Sequence, residues 1–226
     1  MENNEKEQKM QELIKKYGLD IEKLKQEQIK LAKELKIKDK IDFSLADRFG
    51  AFDNTFIGNK MLACVVVCDK DMEVVDMAYS FEKVRFPYLP GFRNYRELVP
   101  MINAFDKLKE KPDIVIIPGQ GISHQRLGLA SNFGLSSNIP TIGVSNSIVD
   151  CEVKGDDILK NGKKVGKVLL SKEGSNPLYI SPGDHIGIES SYELCKGMIK
   201  LPHKRPEPMH LAAKYAKEVR KEVGTD

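Results

Sequence analysis

The chain has 226 residues, 41% hydrophobic and 31% charged, and 36 Lys and Arg against 33 Asp and Glu leave a net charge of +3. Those values permit a packed core and exclude both a disordered chain and a uniformly polycationic one, although a local basic face remains open. No apolar run approaches the ~18 residues of a membrane span, and the first residues show no apolar signal-peptide segment.

Residues 1–40 are rich in Lys, Glu, Gln and Leu, with Leu24, Ile29, Leu31 and Leu35 at helical spacing. The expectation is a helical segment, broken at Gly18 and restarted at an Asp20 N-cap, packed on a domain spanning 41–226. Gly58-Asn59 marks a hairpin between two apolar runs, and a third strand over Met72–Val84 completes an antiparallel meander. Asn94–Leu108 has helical spacing with Pro100 near its start. Ile114–Ile117 reads as a buried central strand, Arg126–Ser137 as a helix and Thr141–Val144 as a further buried strand. Glu152–Gly166 is polar with a turn at Asn161-Gly162. Gly166–Leu170 and Leu178–Ile180 read as a small hairpin, and Ser190–Ile199 and Met209–Val223 as helices. Three antiparallel strands followed by parallel strands, flanked by helices, give an α/β mixed sheet in the order of the ribonuclease H-like fold. Cys64, Cys68, Cys151 and Cys195 lack CxxC spacing and are expected to be reduced, in an intracellular, cytoplasmic protein.

The chemistry-bearing residues stand in the turns that end these runs. Asp53 is a lone carboxylate in a strand of Phe, Ala, Thr and Ile, and a buried charge needs a partner or a metal. Glu97 lies near a helix start, His124 in a Gly-rich loop, and Asp184 beside His185 in a Ser-Pro-Gly-Asp-His turn. Each also has an ordinary structural reading, as a strand-end carboxylate, a first-turn Glu, a loop His and a turn Asp. Arg85, Arg93, Arg96 and Arg126 alternate with Tyr88, Phe92 and Tyr95, a mixture suited to phosphate contact and base stacking. Pro87-Tyr88-Leu89-Pro90 is a rigid turn able to present an apolar wedge.

Taken together, Arg85–Phe92 with Arg96-Glu97, Gly119–Ala130, Ile139–Val144, Asn176–Gly183 with Ile188–Ser191, and Pro206-Glu207-Pro208 resemble the endonuclease V family. That family cleaves nucleic acid near deoxyinosine or inosine. The resemblance runs from about Leu24 to Ala216. It implies a ribonuclease H-like fold, Asp53 and Glu97 as metal carboxylates for Mg²⁺ or Mn²⁺, and a catalytic role for His124. It also implies Pro87, Tyr88, Leu89 and Pro90 as the strand-separating wedge. Gly119, Gln120, Gly121, Arg126 and Asn146 would form the base pocket and backbone contacts for a displaced hypoxanthine.

The chain departs from the family pattern at three places. The carboxylate that ends the central strand is Pro118, the family Lys is Asn146, and the family His of Ser-Pro-Gly-His is Asp184. Asp184 is therefore expected either to complete a metal cluster with Asp53 and Glu97 or, if more than ~8 Å away, to fail at it, because ligand oxygens lie within ~2.6 Å of one ion. Three readings follow. One is an endonuclease with a rebuilt or weakened metal site acting on DNA or RNA, inosine-containing or not. Another is a metal-free pseudoenzyme that holds nucleic acid without cutting. The last is a scaffold for a protein or ribonucleoprotein partner; none involves a membrane.

Overall fold

A computed structural model describes residues 2–224; Met1 of the expected helical segment 1–40 and the last two residues of the expected domain lie outside them. The N-terminal segment forms α1 (Glu2–Tyr17) and α2 (Ile21–Ala32). Gly18 turns between them with φ 60°, and Asp20 caps α2 by accepting from the Lys23 N–H at 2.9 Å. The stripe that carries Leu24 and Leu31 also carries Gln28, which is fully buried.

The meander is β1 (Phe49–Ile57), β2 (Lys60–Cys68) and β3 (Val74–Lys83), closed at its first turn by Gly58, whose φ of 56° suits a tight two-residue loop. Met61–Cys68 is buried along its whole length, as a strand covered on both faces requires. α3 (Arg93–Asp106) begins one residue before the predicted position and carries Pro100 in its interior rather than near its start. α4 (Leu129–Ser137) starts three residues later than the spacing predicts, because Gly128 takes an extended backbone and the Ala130 N–H bonds back to the Gln120 carbonyl. It ends on Asn138 in the left-handed region.

The sheet has nine strands in the order β3-β2-β1-β4-β5-β9-β8-β7-β6, where β4 is Ile114–Pro118, β5 Thr141–Ser145, β6 Glu152–Lys154, β7 Asp157–Lys160, β8 Lys163–Leu169 and β9 Leu178–Asp184. Only β1, β4 and β5 are parallel; β9 and the strands beyond it run antiparallel, so the expected mixed sheet is extended by four strands on one side. The polar stretch at Glu152–Lys160 is a strand pair, invisible in the pattern because an exposed edge has no apolar face to mark it. Asp184 ends β9 rather than sitting in a free turn.

Helices cover both faces. Phe49, Ala51, Ile114, Ile116, Ile142 and Val144 pack under α5 (Ile188–Gly197) and α6 (Glu207–Val223), through Cys195, Met209 and Ala212. Phe52, Val65, Val115 and Ile117 pack under α3 and α4, with Phe133 in T-shaped contact with both Phe52 and Phe105. No helix among the described residues is long and apolar enough to cross a membrane.

Candidate nucleic-acid interface

Strand register places the carboxylates. Ala51 is level with Ile116 across the parallel β1–β4 pair, so two residues on Asp53 is level with Pro118, and Pro118 is level with Val144 of β5. The ends of the central strands therefore bring Asp53, Pro118 and the turn at Asn146 together, where the family pattern asks for a second carboxylate and a cation. Asp53 shares a face with Ala51, toward α6. Burial raises its pKa, and the cations Arg205 and Lys217, with the Thr55 hydroxyl, pull it part of the way back.

Glu97 approaches from the opposite side. Neighbouring strand residues point to opposite faces, and it is Asn54, not Asp53, that donates to Glu97 Oε2 at 2.9 Å. Arg93, one helical turn earlier, grips both oxygens of Glu97, its Nη2 donating to Oε2 at 2.8 Å and its Nε to Oε1. Glu97 is 3% exposed. Its charge is satisfied within α3 and by the neighbouring strand.

Asp184 does not join them. It is level with Thr141 at the start of β5, the other end of the sheet. Three strand spacings of ~4.8 Å across the sheet and three residues of ~3.3 Å along it separate it from Asp53, about 17 Å in all. Its Oδ1 instead accepts from the Lys36 N–H at 2.7 Å, and His185 Nδ1 lies 2.7 Å from Oδ2. Asp184 is thus a fully buried clasp for the segment after α2, and the expected acidic cluster fails on distance. Among the described residues, no three His, Cys, Asp or Glu side chains gather closely enough to hold a metal. The donor set does not fit a divalent ion.

The wedge and the loop after β4 do meet. Tyr88 is 67% exposed, while Pro87 and Leu89 on either side of it are buried and fix its direction. The Arg96 guanidinium lies 4.2 Å over the Phe56 ring and 6.0 Å from the Tyr88 ring, bracing the tyrosine from below. Beside it opens a cavity of about 270 Å³ lined by Tyr88, Leu89, Pro90, Arg93, Asn94, Gly119, Gln120, His124, Ser145 and Ser147. The Asn94 Nδ2 and Gln120 Nε2 amides are buried without partners, and Asn94 is 2% exposed. The N-termini of α3 and α4 flank the cavity, neither with a side-chain cap nor an acidic residue in its first turn.

His124 Nδ1 accepts from the Arg126 N–H at 3.1 Å, so the neutral ring carries its proton on Nε2. Burial, with the Arg126 and Lys160 charges, pushes its pKa down to about 4. Between that value and the unfolded ~6.5 the unfolded chain binds the extra proton. The stabilisation is complete above ~6.5 and is lost as pH falls through ~4. Allowing for the partly exposed ring, we expect urea stability to fall by about 2 kcal/mol from about pH 7 to about pH 4.5, and a His124→Gln variant to lose most of that slope. An unchanged slope in the variant would refute the assignment.

Other expected contacts are redistributed. Arg126 is a strut: its Nε donates to Gln28 Oε1 at 2.6 Å, its Nη2 to the Gly91 carbonyl at 3.1 Å, and its guanidinium stacks on Phe92. Gln28 Nε2 donates to the Gly91 carbonyl and to Asn94 Oδ1, so α2 supports the floor of the wedge loop. Gly121 is buried against β9, its N–H donating to Ser181 Oγ at 2.9 Å. Asn146 lines a different, wider groove of about 820 Å³ with Asn176, Tyr179, His203, Lys204, Arg205 and His210. Sequence reasoning passed over that last group. A His-Lys-Arg run directly before the Pro-Glu-Pro entry to α6 was the available signal. Gln28 and Asn94 could have been found as polar residues on otherwise apolar helix stripes.

Comparison with known proteins accords with this layout. The Endonuclease V profile matches residues 29–214. Endonuclease V of Thermosipho melanesiensis is 34% identical over 226 residues, covering 95% of each chain. Endonuclease V of Archaeoglobus fulgidus is 32% identical over 212 residues, covering 91% of this chain and 96% of its own. In fold, the catalytic domain of human endonuclease V matches with a TM-score of 0.82 at 24% identity, covering 91% of this chain and 98% of that one. The Ciona intestinalis enzyme, solved with a 23mer DNA containing an inosine followed by a ribo-adenosine, also matches at 0.82 and 24%, covering 90% and 98%. With a mixed sheet of ribonuclease H-like order and a family match over most of its length, the chain belongs to the endonuclease V family.

Proposed function

We propose that this chain binds single-stranded DNA or RNA and reads a displaced oxopurine such as hypoxanthine, with phosphodiester cleavage weakened or lost. Endonuclease V enzymes are metal-dependent. The observation that carries the loss is Pro118 at the end of β4, two residues past the Ala51–Ile116 level, while Glu97 is held by Arg93 and Asn54. Two metal carboxylates are thereby out of play, one absent and one satisfied. Each tenfold loss of rate is ~1.4 kcal/mol of barrier.

Recognition is supported by the cavity beside the wedge. Tyr88 is placed to stack under a neighbouring base when the strand is distorted, a contact worth ~1–3 kcal/mol. The Asn94 and Gln120 amides and the His124 Nε2–H are donors, and the O6 and N7 atoms of an oxopurine are acceptors. Adenine would set its own amino donor against them. The four cysteines are unpaired, which fits a cytoplasmic protein.

The test is a single-stranded oligonucleotide carrying one inosine, as DNA and as RNA, with Mg²⁺ or Mn²⁺, reading cleavage and binding in the same samples beside an adenosine control. The expected result is inosine-selective binding with little or no cutting. Efficient cutting that vanishes in Asp53→Ala would overturn the loss of cleavage. Absence of both cutting and binding would remove the nucleic-acid reading and point to a protein or ribonucleoprotein partner.

A further inference from the structure

One of the two carboxylates expected to hold the ion has a cation of the protein's own. Glu97 is paired on both oxygens with Arg93. Asp53 faces α6, the helix that Arg205 precedes and Lys217 belongs to, and burial outweighs those two cations so that its pKa stays raised. Lys204 lines the same groove as Arg205. A divalent ion needs free carboxylate oxygens, and at Glu97 both are taken by Arg93.

The groove lies over the same strand ends. Tyr179 is level with Ser145, one residue past the Val144–Pro118 level, and Asn146 follows. Its lining has two basic side chains, two histidines, two asparagines and a tyrosine, and no carboxylate. The His203 and His210 rings stack 3.5 Å apart, and His203 Nδ1 sits 2.7 Å from Glu207 Oε2 at the start of α6, which holds that wall in one arrangement. Basic heads beside amide and imidazole groups are the composition that tracks a phosphate backbone.

We propose that Arg93 on Glu97 stands in place of a divalent ion in this chain, and that the groove lined by Lys204 and Arg205 holds a phosphodiester backbone without metal. The proposal rests on the nucleic-acid reading above. It turns the lost carboxylate from a defect into half of an exchange: a site that no longer needs to assemble a metal keeps its grip on phosphate at any divalent-ion concentration.

Two measurements test it. The first is Mn²⁺ binding to the protein alone by electron paramagnetic resonance, with no bound ion expected. The second is fluorescence anisotropy of a labelled single-stranded oligonucleotide, with inosine or adenosine at one position, in EDTA, Mg²⁺ and Mn²⁺. Binding is expected to persist in EDTA, with Mg²⁺ and Mn²⁺ adding nothing and only weakening it as counterions. In an Arg205→Ala variant it should be weaker, with the log–log salt slope reduced by about 0.7, the share of one phosphate contact on a single strand. A merely structural arginine would lower affinity without changing that slope. Stoichiometric Mn²⁺ lost in Asp53→Asn, or oligonucleotide binding abolished by EDTA, overturns the proposal and leaves the base reading intact. Metal-free binding that ignores inosine supports the proposal and overturns the base reading. Absence of binding in every condition overturns both.

Discussion

Gly121→Ala is expected to abolish base-selective binding and to destabilise the fold together. An added Cβ would stand 2.0 Å from the Pro182 carbonyl oxygen and 2.9 Å from that of Ser181, and both neighbours are backbone. A flexible side chain could swing aside; a strand carbonyl cannot. The loop after β4 and strand β9 must separate, which breaks the Ile122 N–H bond to the Pro182 carbonyl and the Gly121 N–H bond to Ser181 Oγ. Overpacking of this kind costs ~1–3 kcal/mol, and two buried hydrogen bonds add to it. Gln120 and His124 flank the position and line the cavity, so they move with it. The check is the urea midpoint alongside anisotropy with the inosine oligonucleotide. A variant with wild-type midpoint and wild-type selectivity would show that the loop is not built around this contact.

Phe133→Ala is expected to produce the largest stability loss from a single side chain. Phe133 is fully buried on α4, with ring centroids 5.1 Å from Phe52 of β1 and 5.5 Å from Phe105 of α3, both edge-on. It therefore joins a strand and two helices, and its removal leaves a hole between elements that cannot all close upon it. Truncations of buried Phe cost ~3–5 kcal/mol. For a chain of this length that is a fall in Tm of roughly 6–20 °C at 2–4 °C per kcal/mol. Differential scanning calorimetry is the measurement, with Phe133→Leu expected to recover part of the loss. A shift smaller than that of an exposed control such as Val99→Ala would contradict the packing described. Because Phe133 lines neither cavity, the folded fraction should retain its oligonucleotide affinity.

What could be read from the chain was what depends on local periodicity and on residue type. Met61–Val67 declared a buried strand by its unbroken apolar run, Gly58-Asn59 declared the hairpin, and Asp20 declared a helix start, because each effect acts within a few residues. The absence of a carboxylate at Pro118 was equally plain, and so was the rigidity of the Pro-Tyr-Leu-Pro turn, whereas whether Tyr88 packs inward or stands exposed was open until the fold exposed it.

What only the tertiary structure decided is who meets whom. Asp184 looked like compensation for Pro118, yet the antiparallel insertion of β9 beside β5 sends it to the far end of the sheet, where it clasps Lys36. Glu97 looked like a metal ligand, yet the alternation of β1 presents Asn54 to it and the helical turn presents Arg93. Arg126 looked like a phosphate contact, yet it is spent on Gln28, ninety-eight residues earlier in the chain. Lys204 and Arg205 came to the groove from the entry to α6. Register, face and long-range pairing follow from how strands and helices stack, and no short window of sequence contains that information.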